Sequence, residues 1–216
     1  MRRTKTYETP AARQRRVWDK TASGYDNQMA FFERFLFAGS RDWLAERSRG
    51  RVLEVAIGTG LNLPHYADDV TLTGVELSPQ MLTRARDRAA ELRRDVELLE
   101  GDAADLPVQD GSFDTVVCAL ALCTIPDPAR AVAEMERALV PGGRLLLLDH
   151  VGSTWPPVYA VQWVAERATI RLAGEHFTRR QLQLVRSAGF DVVERVRLKA
   201  GMVERIHATK PHRPTT

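Results

Sequence analysis

Cysteine is scarce in this chain, which contains two, Cys118 and Cys123, within one apolar stretch. Two thiols do not make the disulfide framework of a small secreted domain. Their spacing also lacks the Cys-x-x-Cys or paired Cys and His pattern of redox and zinc sites. We therefore interpret both as buried thiols of a protein in a reducing compartment. The sequence predicts a cytoplasmic location and no metal site.

Long apolar runs are missing as well. No stretch of about 18 or more apolar residues occurs, so no membrane-spanning helix is predicted. The basic residues after Met1 lead into no apolar segment, so a secretory signal is not expected. We predict a flexible basic arm over residues 1–15. A solvated arm is favoured over a surface for anionic lipid, substrate or nucleic acid, because no nucleic-acid-binding motif accompanies it.

Aromatic residues make up 7% of the chain, but many of them cluster between residues 16 and 48. Apolar residues recur there with helical spacing, so we predict amphipathic helices. The aromatic members of this segment are Trp18, Tyr25, Phe31, Phe32, Phe35, Phe37 and Trp43. These helices would pack on the main domain, cover an active site as a lid, or do both.

From residue 49 to residue 212 the pattern alternates between strands and helices. Strands are predicted over residues 51–56, 71–76, 96–100, 113–120 and 144–150. Helices are predicted after the glycine turn, from Pro79, from Pro128 and over residues 178–188, the last after an insertion over 151–177. A closing antiparallel hairpin is predicted from strands 192–198 and 202–209.

This alternation predicts an α/β fold, because strands joined by helices pair in parallel. We expect a Rossmann-like seven-stranded sheet, mostly parallel with a C-terminal antiparallel hairpin. Helices would cover both faces, and residues 16–48 would form an N-terminal helical lid. Ligands on such sheets bind outside the carboxyl ends of the strands.

The first predicted strand breaks into the turn Gly58-Thr59-Gly60. Glycine has no Cβ, so a ligand can approach the backbone there, and a helix start behind the turn would offer unpaired N–H groups. The second predicted strand ends in Glu76, where an acid can accept hydrogen bonds from a ribose. The sequence therefore predicts a site for a nucleoside-containing cofactor.

The glycine turn alone does not separate a dinucleotide from another nucleoside cofactor. A second acid, Asp102, follows the third predicted strand. In this position it could accept a hydrogen bond from the exocyclic amine of an adenine. The loop lacks the third glycine of dinucleotide-binding enzymes, and no hydride-transfer residues accompany it. A nicotinamide dehydrogenase is therefore disfavoured.

Four motifs together carry a family resemblance. They are Leu53-Glu54-Val55-Ala56-Ile57-Gly58-Thr59-Gly60, Gly74-Val75-Glu76-Leu77-Ser78-Pro79-Gln80-Met81-Leu82, Gly101-Asp102-Ala103 with Phe113-Asp114, and Leu139-Val140-Pro141-Gly142-Gly143. With them the chain resembles the class I S-adenosylmethionine-dependent methyltransferases, particularly the ubiquinone/menaquinone C-methyltransferases and type 11 methyltransferase domains. The resemblance implies S-adenosyl-L-methionine as the cofactor and S-adenosyl-L-homocysteine as its product. The chain departs from the family pattern at Ala56, where the family usually has the first glycine of the loop. We expect the alanine to tighten packing in the loop and not to abolish cofactor binding.

The resemblance also implies contacts to the cofactor. Glu76 would hold the ribose hydroxyls, Asp102 the adenine amine, and Ala103 would offer a backbone N–H to the ring. Leu77 and Met81 would pack on that ring. The other implied cofactor-binding residues are Tyr25 in the lid, Glu54, Ala56, Gly58, Gly60 and Asn62 around the glycine turn, and Cys118 and Ala119 near the sulfonium.

Methyl transfer is an in-line displacement at a carbon that the sulfonium already activates. The protein must mainly align the reactants and exclude water, and a base helps where the acceptor loses a proton. The catalytic candidates are His150, because the histidine side chain can act as a general base near neutral pH, His176 in the insertion, and the lid residue Tyr25. The structural alternatives stay open: His150 could bond a neighbouring loop, and His176 could enter a helix capped by Thr178.

The acceptor is not identified by the sequence. Residues 118–123 and 148–155 resemble alkyl thiol methyltransferases, and the broader pattern is similar to bacterial phosphatidylethanolamine N-methyltransferases. We therefore expect an apolar or amphipathic small molecule with an O, S, N or C nucleophile, and no nucleic acid. Residues 155–163 could line the acceptor pocket, pack internally or make a peripheral membrane contact.

Several alternatives remain open. The chain could be a phospholipid N-methyltransferase at a membrane surface, with the basic arm as an anchor. It could also be a non-methylating cofactor-binding protein or a cyclase on the same scaffold. The sequence is compatible with a monomer or a homodimer.

Overall fold

The computed structural model describes residues 8–172 and 174–212. Their helices are α1 (Pro10–Thr21), α2 (Tyr25–Phe32), α3 (Ser40–Arg47), α4 (Pro79–Leu92), α5 (Pro128–Ala138), α6 (Pro156–Leu172) and α7 (Gln181–Ser187). Their strands are β1 (Arg51–Val55), β2 (Thr71–Glu76), β3 (Val96–Glu100), β4 (Phe113–Ala119), β5 (Leu139–His150), β6 (Asp191–Leu198) and β7 (Val203–Thr209). A π-helical turn, Glu33–Phe37, continues α2, and a 3-10 turn, Leu63–His65, follows the glycine turn.

Within these described ranges the strands form one seven-stranded sheet in the order β3-β2-β1-β4-β5-β7-β6. The pairs among β1 to β5 are parallel, and β7 runs antiparallel to both β5 and β6. This confirms the predicted sheet and its closing hairpin. The strand order reverses between β1 and β4, and in open α/β sheets a ligand crevice forms at such a reversal.

Both faces of the sheet are covered by helices, as predicted. Successive side chains of a strand point to opposite faces. Leu145 and Leu147 of β5 therefore enter one core with α5 and α7, while Leu146 and Leu148 enter the other core with α3 and α4. α3 is thus part of the packed domain.

The first helix begins earlier than predicted. The Oγ1 of Thr9 accepts a hydrogen bond from the backbone N of Ala12 at 3.2 Å, and Pro10 occupies the first helical position. A side-chain cap followed by proline is a strong helix start. The predicted basic arm over residues 1–15 is therefore too long at its C-terminal end, and its residues 1–7 lie outside the described part of the chain.

The predicted helix after the glycine turn is wrong. The chain makes only the 3-10 turn Leu63–His65 and is extended again at Tyr66, with φ −67° and ψ 141°. The hydroxyl of Tyr66 bonds the buried Glu54, so the backbone leaves the helical path to place that ring. A single turn has little macrodipole, so this turn does not provide the helix N-terminus that the sequence predicted for cofactor binding.

The predicted helix over residues 178–188 is three residues too long at its start. Thr178 does not cap it, because its hydroxyl donates to Glu166 of α6 at 2.6 Å. α7 begins at Gln181, and its N-cap residue, Arg180, makes no capping hydrogen bond. The insertion predicted over residues 151–177 contains α6.

Candidate functional site

A pocket opens at the carboxyl ends of β1, β2 and β4, beside the reversal in strand order. Its volume is about 820 Å³, including the part open to solvent. The predicted cofactor residues that line it are Tyr25, Glu54, Ala56, Gly58, Asn62, Glu76, Leu77, Met81, Asp102, Ala103 and Ala119. Two predicted members, Gly60 and Cys118, do not line it. Gly60 lies against Leu63 with φ +78°, and Cys118 is buried.

Glu76 connects two of the loops that form the pocket. Its Oε2 accepts a hydrogen bond from the backbone N of Gly58, and its Oε1 accepts one from the backbone N of Ser78, both at 2.9 Å. Burial raises the pKa of Glu76, and these backbone donors partly oppose that rise. A carboxylate has about four acceptor positions, so Glu76 keeps capacity for ligand hydroxyl groups.

The glycine turn holds its shape through left-handed backbone conformations. Ala56, Gly58 and Gly60 have φ values of 56°, 59° and 78°. Ala56 carries a Cβ, and an L-residue in this region costs about 1–2 kcal/mol. The departure from glycine at Ala56 therefore introduces backbone strain, which the expectation of tighter packing did not include. Strain of this kind concentrates at functional sites.

Glu54 is the most strongly perturbed acid in the pocket wall. It is 3% exposed, and its carboxylate accepts hydrogen bonds from Asn62 Nδ2 at 2.7 Å and from the Tyr66 hydroxyl at 2.9 Å. Burial raises the pKa of Glu54 to about 7, although both donors favour the charged form. A buried carboxylate near neutrality marks a functional-site candidate.

A polar chain leads from Glu54 towards the N-terminal helices. Asn62 Oδ1 accepts a hydrogen bond from Arg41, and the guanidinium of Arg41 pairs with Glu33 in the π-helical turn. Sequence reasoning missed Arg41, which lines the pocket, because an arginine in an amphipathic helix carries no local signal. The chain couples the pocket wall to the segment predicted as a lid.

The part of the pocket predicted to hold the adenine ring has apolar walls. Met81 and Ala103 are buried, and Leu77 completes the wall. Asp102 follows β3, and its Oδ1 accepts a hydrogen bond from the backbone N of Ala104 at 2.9 Å, which fixes the turn. Ser78 caps α4 by accepting from the backbone N of Met81 at 3.2 Å, as predicted. These side chains and Asp102 lie where the sequence predicts the adenine ring and its exocyclic amine.

α1 and α2 lie over this pocket and are tied to its loops. Asp19 accepts a hydrogen bond from the Ser78 hydroxyl at 2.6 Å. Asp26 accepts one from the Thr59 hydroxyl at 2.6 Å and pairs with Arg88 at 2.7 Å. These contacts hold the N-terminal helices against the loops after β1 and β2.

Three side chains of these helices enter the pocket wall. Trp18 and Tyr25 pack edge to face with ring centroids 5.9 Å apart. Burial raises the pKa of Tyr25 far above its usual range, so its hydroxyl stays protonated and can donate. Gln14 is 7% exposed, and its Nε2 makes no hydrogen bond to any described residue. Sequence reasoning missed Gln14 because it fell within the predicted flexible arm.

The catalytic candidates His150 and His176 are not part of the pocket wall. His150 Nδ1 lies 3.0 Å from Asp149 Oδ1, and its ring packs edge to face on Phe177 at 4.8 Å. His176 Nδ1 lies 3.2 Å from Glu166 Oε1, and burial lowers the pKa of His176. Both histidines are therefore bonded to neighbouring residues, and their catalytic roles stay predictions.

The loop after β4 contributes to the pocket wall and also contacts the region of these histidines. Cys123 in this loop donates its backbone N–H to Asp149 at 2.9 Å and accepts from the backbone N of His176 at 3.0 Å. Ligand atoms of Cys123, Asp149 and His150 lie within 4.8 Å of one another, a spacing that metal ligands can have. Here Asp149 is occupied by hydrogen bonds from its neighbours. Burial keeps the pKa of the Cys123 thiol well above its usual range.

Comparison with known proteins finds similarity over the central part of the chain. Residues 53–147 match the family model described as methyltransferase domain. The chain is similar to phosphatidylethanolamine N-methyltransferase of Cereibacter sphaeroides, with 41% identity over 115 residues, which are 52% of this chain and 57% of that protein. It is also similar to demethylmenaquinone methyltransferase of Deinococcus radiodurans, with 43% identity over 115 residues, 52% of this chain and 47% of that protein.

A third relative is thiol S-methyltransferase TMT1A of Homo sapiens, with 32% identity over 139 residues, 61% of this chain and 56% of that protein. The chain thus spans about half the length of the curated relatives it matches. Among solved structures, a SAM-dependent methyltransferase from Thermotoga maritima aligns with a TM-score of 0.71 and 24% identity, covering 90% of this chain and 99% of that one. The [4+2]-cyclase SpnF aligns with a TM-score of 0.66 and 22% identity, covering 80% of each chain. At such identities these structures show the shared fold.

Proposed function

We propose that this chain, whose residues 53–147 match the family model described as methyltransferase domain, is an S-adenosyl-L-methionine-dependent methyltransferase with an apolar or amphipathic small-molecule acceptor. The observation that carries the proposal is the pair of acids at the ends of neighbouring strands. Glu76 and Asp102 both line the pocket and flank the apolar slot of Leu77 and Met81. This arrangement suits a ribose and an adenine.

The other end of the cofactor would lie along the glycine turn. Gly58 exposes backbone there, and Asn62 and the buried Glu54 line the same pocket. A carboxylate in this position would attract the cationic amine of the methionine part. Binding a cation near Glu54 would favour its charged form, so cofactor binding would release a proton near neutral pH.

The chemistry requires little of the protein beyond binding and alignment. S-adenosyl-L-methionine supplies an electrophilic methyl group on a positively charged sulfur. Trp18 and Tyr25 would exclude water from the reacting atoms, and the protonated hydroxyl of Tyr25 could orient an acceptor by donating a hydrogen bond. His150, which Asp149 orients from outside the pocket wall, remains the proposed base for an acceptor that loses a proton.

The cofactor assignment is tested by calorimetric titration with S-adenosyl-L-methionine. Glu76→Gln and Asp102→Asn should each weaken binding by about 1–3 kcal/mol, roughly 5- to 150-fold, because each removes a polar partner from a buried contact. The matched control is Asp95→Asn, an exposed aspartate outside the pocket. Unchanged affinity in both pocket variants would refute the assignment.

Exposed aromatic and aliphatic side chains support an apolar or amphipathic acceptor. Phe31, Phe32 and Phe35, on α2 and the π-helical turn, are 64%, 45% and 53% exposed. On and before α6, the exposed members are Trp155, Tyr159, Val161, Trp163 and Val164. Such surfaces mark contacts with apolar partners or lipid interfaces.

Phospholipid N-methylation at a membrane surface is the second candidate function. The exposed aromatic helices and the 41% identical phosphatidylethanolamine methyltransferase favour it. None of the helices within residues 8–172 and 174–212 has the length and apolar character needed to cross a bilayer. Transfer of label to phosphatidylethanolamine in vesicles, but not to soluble thiols or quinols, would support this candidate. The opposite pattern would exclude it.

A further inference from the structure

A second cleft lies between the end of β5, the start of α6, α7 and the β6–β7 hairpin. Its volume is about 1690 Å³, including the part open to solvent, and it shares no lining residue with the cofactor pocket. We call it the arginine cleft, because its lining includes Arg180, Arg186, Arg195 and Arg197. The carboxylate among its lining residues is that of Glu204.

The carboxylate of Glu204 is already paired with an arginine of the cleft. This residue is 3% exposed, and its Oε1 accepts a hydrogen bond from Arg195 Nε at 2.7 Å. Arg197 donates through Nη2 to the carbonyl of Gly152 at 2.7 Å. Its Nε is buried, lies 3.5 Å from Glu204 Oε1 and makes no hydrogen bond to a described residue. The Nε of Arg197 is therefore a buried donor that no described residue satisfies.

The positive charges of Arg180 and Arg186, the two other arginines of the cleft, are not paired with a carboxylate of the described residues. Within the described part of the chain, the side chains of Arg180 and Arg186 have neither a hydrogen bond nor an ion pair. Four guanidinium groups thus face one carboxylate. Like charges gathered in one cleft repel each other and raise the local concentration of anions. The cleft is electrostatically complementary to a negatively charged ligand.

The guanidinium groups of the cleft favour phosphate among the possible anionic ligands. A guanidinium group is planar and donates two parallel hydrogen bonds, which fits phosphate oxygens. The cleft also has an apolar side formed by Pro156, Tyr159 and Leu182. Tyr159 is 37% exposed and belongs to the same helix as the exposed Trp163 and Val164, so the cleft adjoins an apolar surface.

We propose that the arginine cleft is a binding site for a phosphate group, carried either by a lipid headgroup or by a soluble phosphoester. The site is separate from the cofactor pocket and does not depend on the proposed methyl transfer. A lipid source would also place the exposed side chains of α6 against the membrane. A soluble source would use the cleft alone.

The test replaces the two arginines whose side chains make no hydrogen bond or ion pair within the described residues, in Arg180→Gln, Arg186→Gln and the double variant. Arg86→Gln, an exposed arginine outside the cleft, is the matched control. Binding is measured by calorimetry with sn-glycerol 3-phosphate. It is also measured by flotation with phosphatidylcholine vesicles that do or do not contain phosphatidylglycerol.

We expect each substitution in the cleft to weaken binding about tenfold, since a charge-assisted contact to phosphate is lost. The Arg86 variant should bind like the parent chain. Binding of glycerol phosphate would indicate a soluble source, and binding restricted to the anionic vesicles would indicate a lipid. Far-ultraviolet circular dichroism of each variant checks that the fold is retained.

Three results would overturn the proposal. These are no binding to either probe, unchanged binding by the double variant, and an equal loss in the Arg86 control, which would reflect general charge attraction. Cofactor affinity is measured in parallel. Because the cleft and the pocket share no residue, a failed phosphate site would leave cofactor binding intact, and the two proposals fail separately.

Discussion

Replacing Glu54 with glutamine should change how the stability of this protein depends on pH. Glu54 is a buried residue of the pocket wall, and its carboxylate accepts hydrogen bonds from Asn62 and Tyr66. The positive charge of Arg41 lowers the pKa of Glu54, but burial outweighs this effect and that of the two donors. Burial raises its pKa from the ordinary 4.5 to about 7 in the folded chain. Glutamine has almost the same shape and carries no charge at any pH, so it isolates the effect of ionisation.

The folded chain holds the proton of Glu54 more tightly than the unfolded chain does, and this sets the direction in which stability changes with pH. Below pH 4.5 Glu54 is protonated in both states, and its contribution to stability is fully present. Between pH 4.5 and pH 7 the unfolded chain ionises first, so folded stability is lost as the pH rises. The difference between the two pKa values corresponds to about 3 kcal/mol.

The assay is urea denaturation of the parent chain and Glu54→Gln across this pH range. The variant should gain about 3 kcal/mol relative to the parent between pH 4.5 and pH 7, with no further gain at higher pH. The control is Glu91→Gln, an exposed glutamate on α4, whose difference from the parent should stay nearly constant. A pH-independent difference for Glu54→Gln would contradict a raised pKa for this buried carboxyl group.

Three further predictions concern the backbone, the core and the chemistry. Ala56→Val should lower the free energy of unfolding by about 2 kcal/mol or more, because a β-branched residue tolerates φ 56° poorly, whereas Ala56→Gly should stay within about 1 kcal/mol of the parent; equal losses in urea denaturation would contradict this. Leu146→Ala should cost about 2–5 kcal/mol in the same assay, since Leu146 is fully buried, and a loss below about 1 kcal/mol would contradict the described packing. His150→Gln should lower turnover with partial rescue at higher pH, and unchanged turnover would assign His150 a structural role.

Local signals made much of the fold predictable. β2 and β3 have the predicted bounds, and the Ser78 cap with Pro79 defines the start of α4 as expected. Caps, prolines and strand periodicity act over a few residues, so a sequence displays them directly. The start of α1 had the same kind of signal in Thr9 and Pro10, but the surrounding basic residues concealed it.

Long-range contacts account for what the sequence did not predict. The helix after the glycine turn is absent because Tyr66 reaches back to Glu54, a partner on another element. The lining role of Gln14 depends on how α1 crosses the pocket. Whether His150 and His176 line the pocket depends on the path of the loop after β4. None of these placements follows from residue type and spacing.

Methyl transfer by this protein can be detected by mass spectrometry of reactions with methyl-labelled S-adenosyl-L-methionine. The acceptor panel contains thiols, phenols, quinols, amines and vesicles of aminophospholipid, and Glu76→Gln provides the impaired control. We expect S-adenosyl-L-homocysteine and a labelled product with at least one apolar or amphipathic acceptor, and much less of both with the variant. Measured cofactor binding with no labelled product from any acceptor would contradict this expectation and favour a non-methylating role.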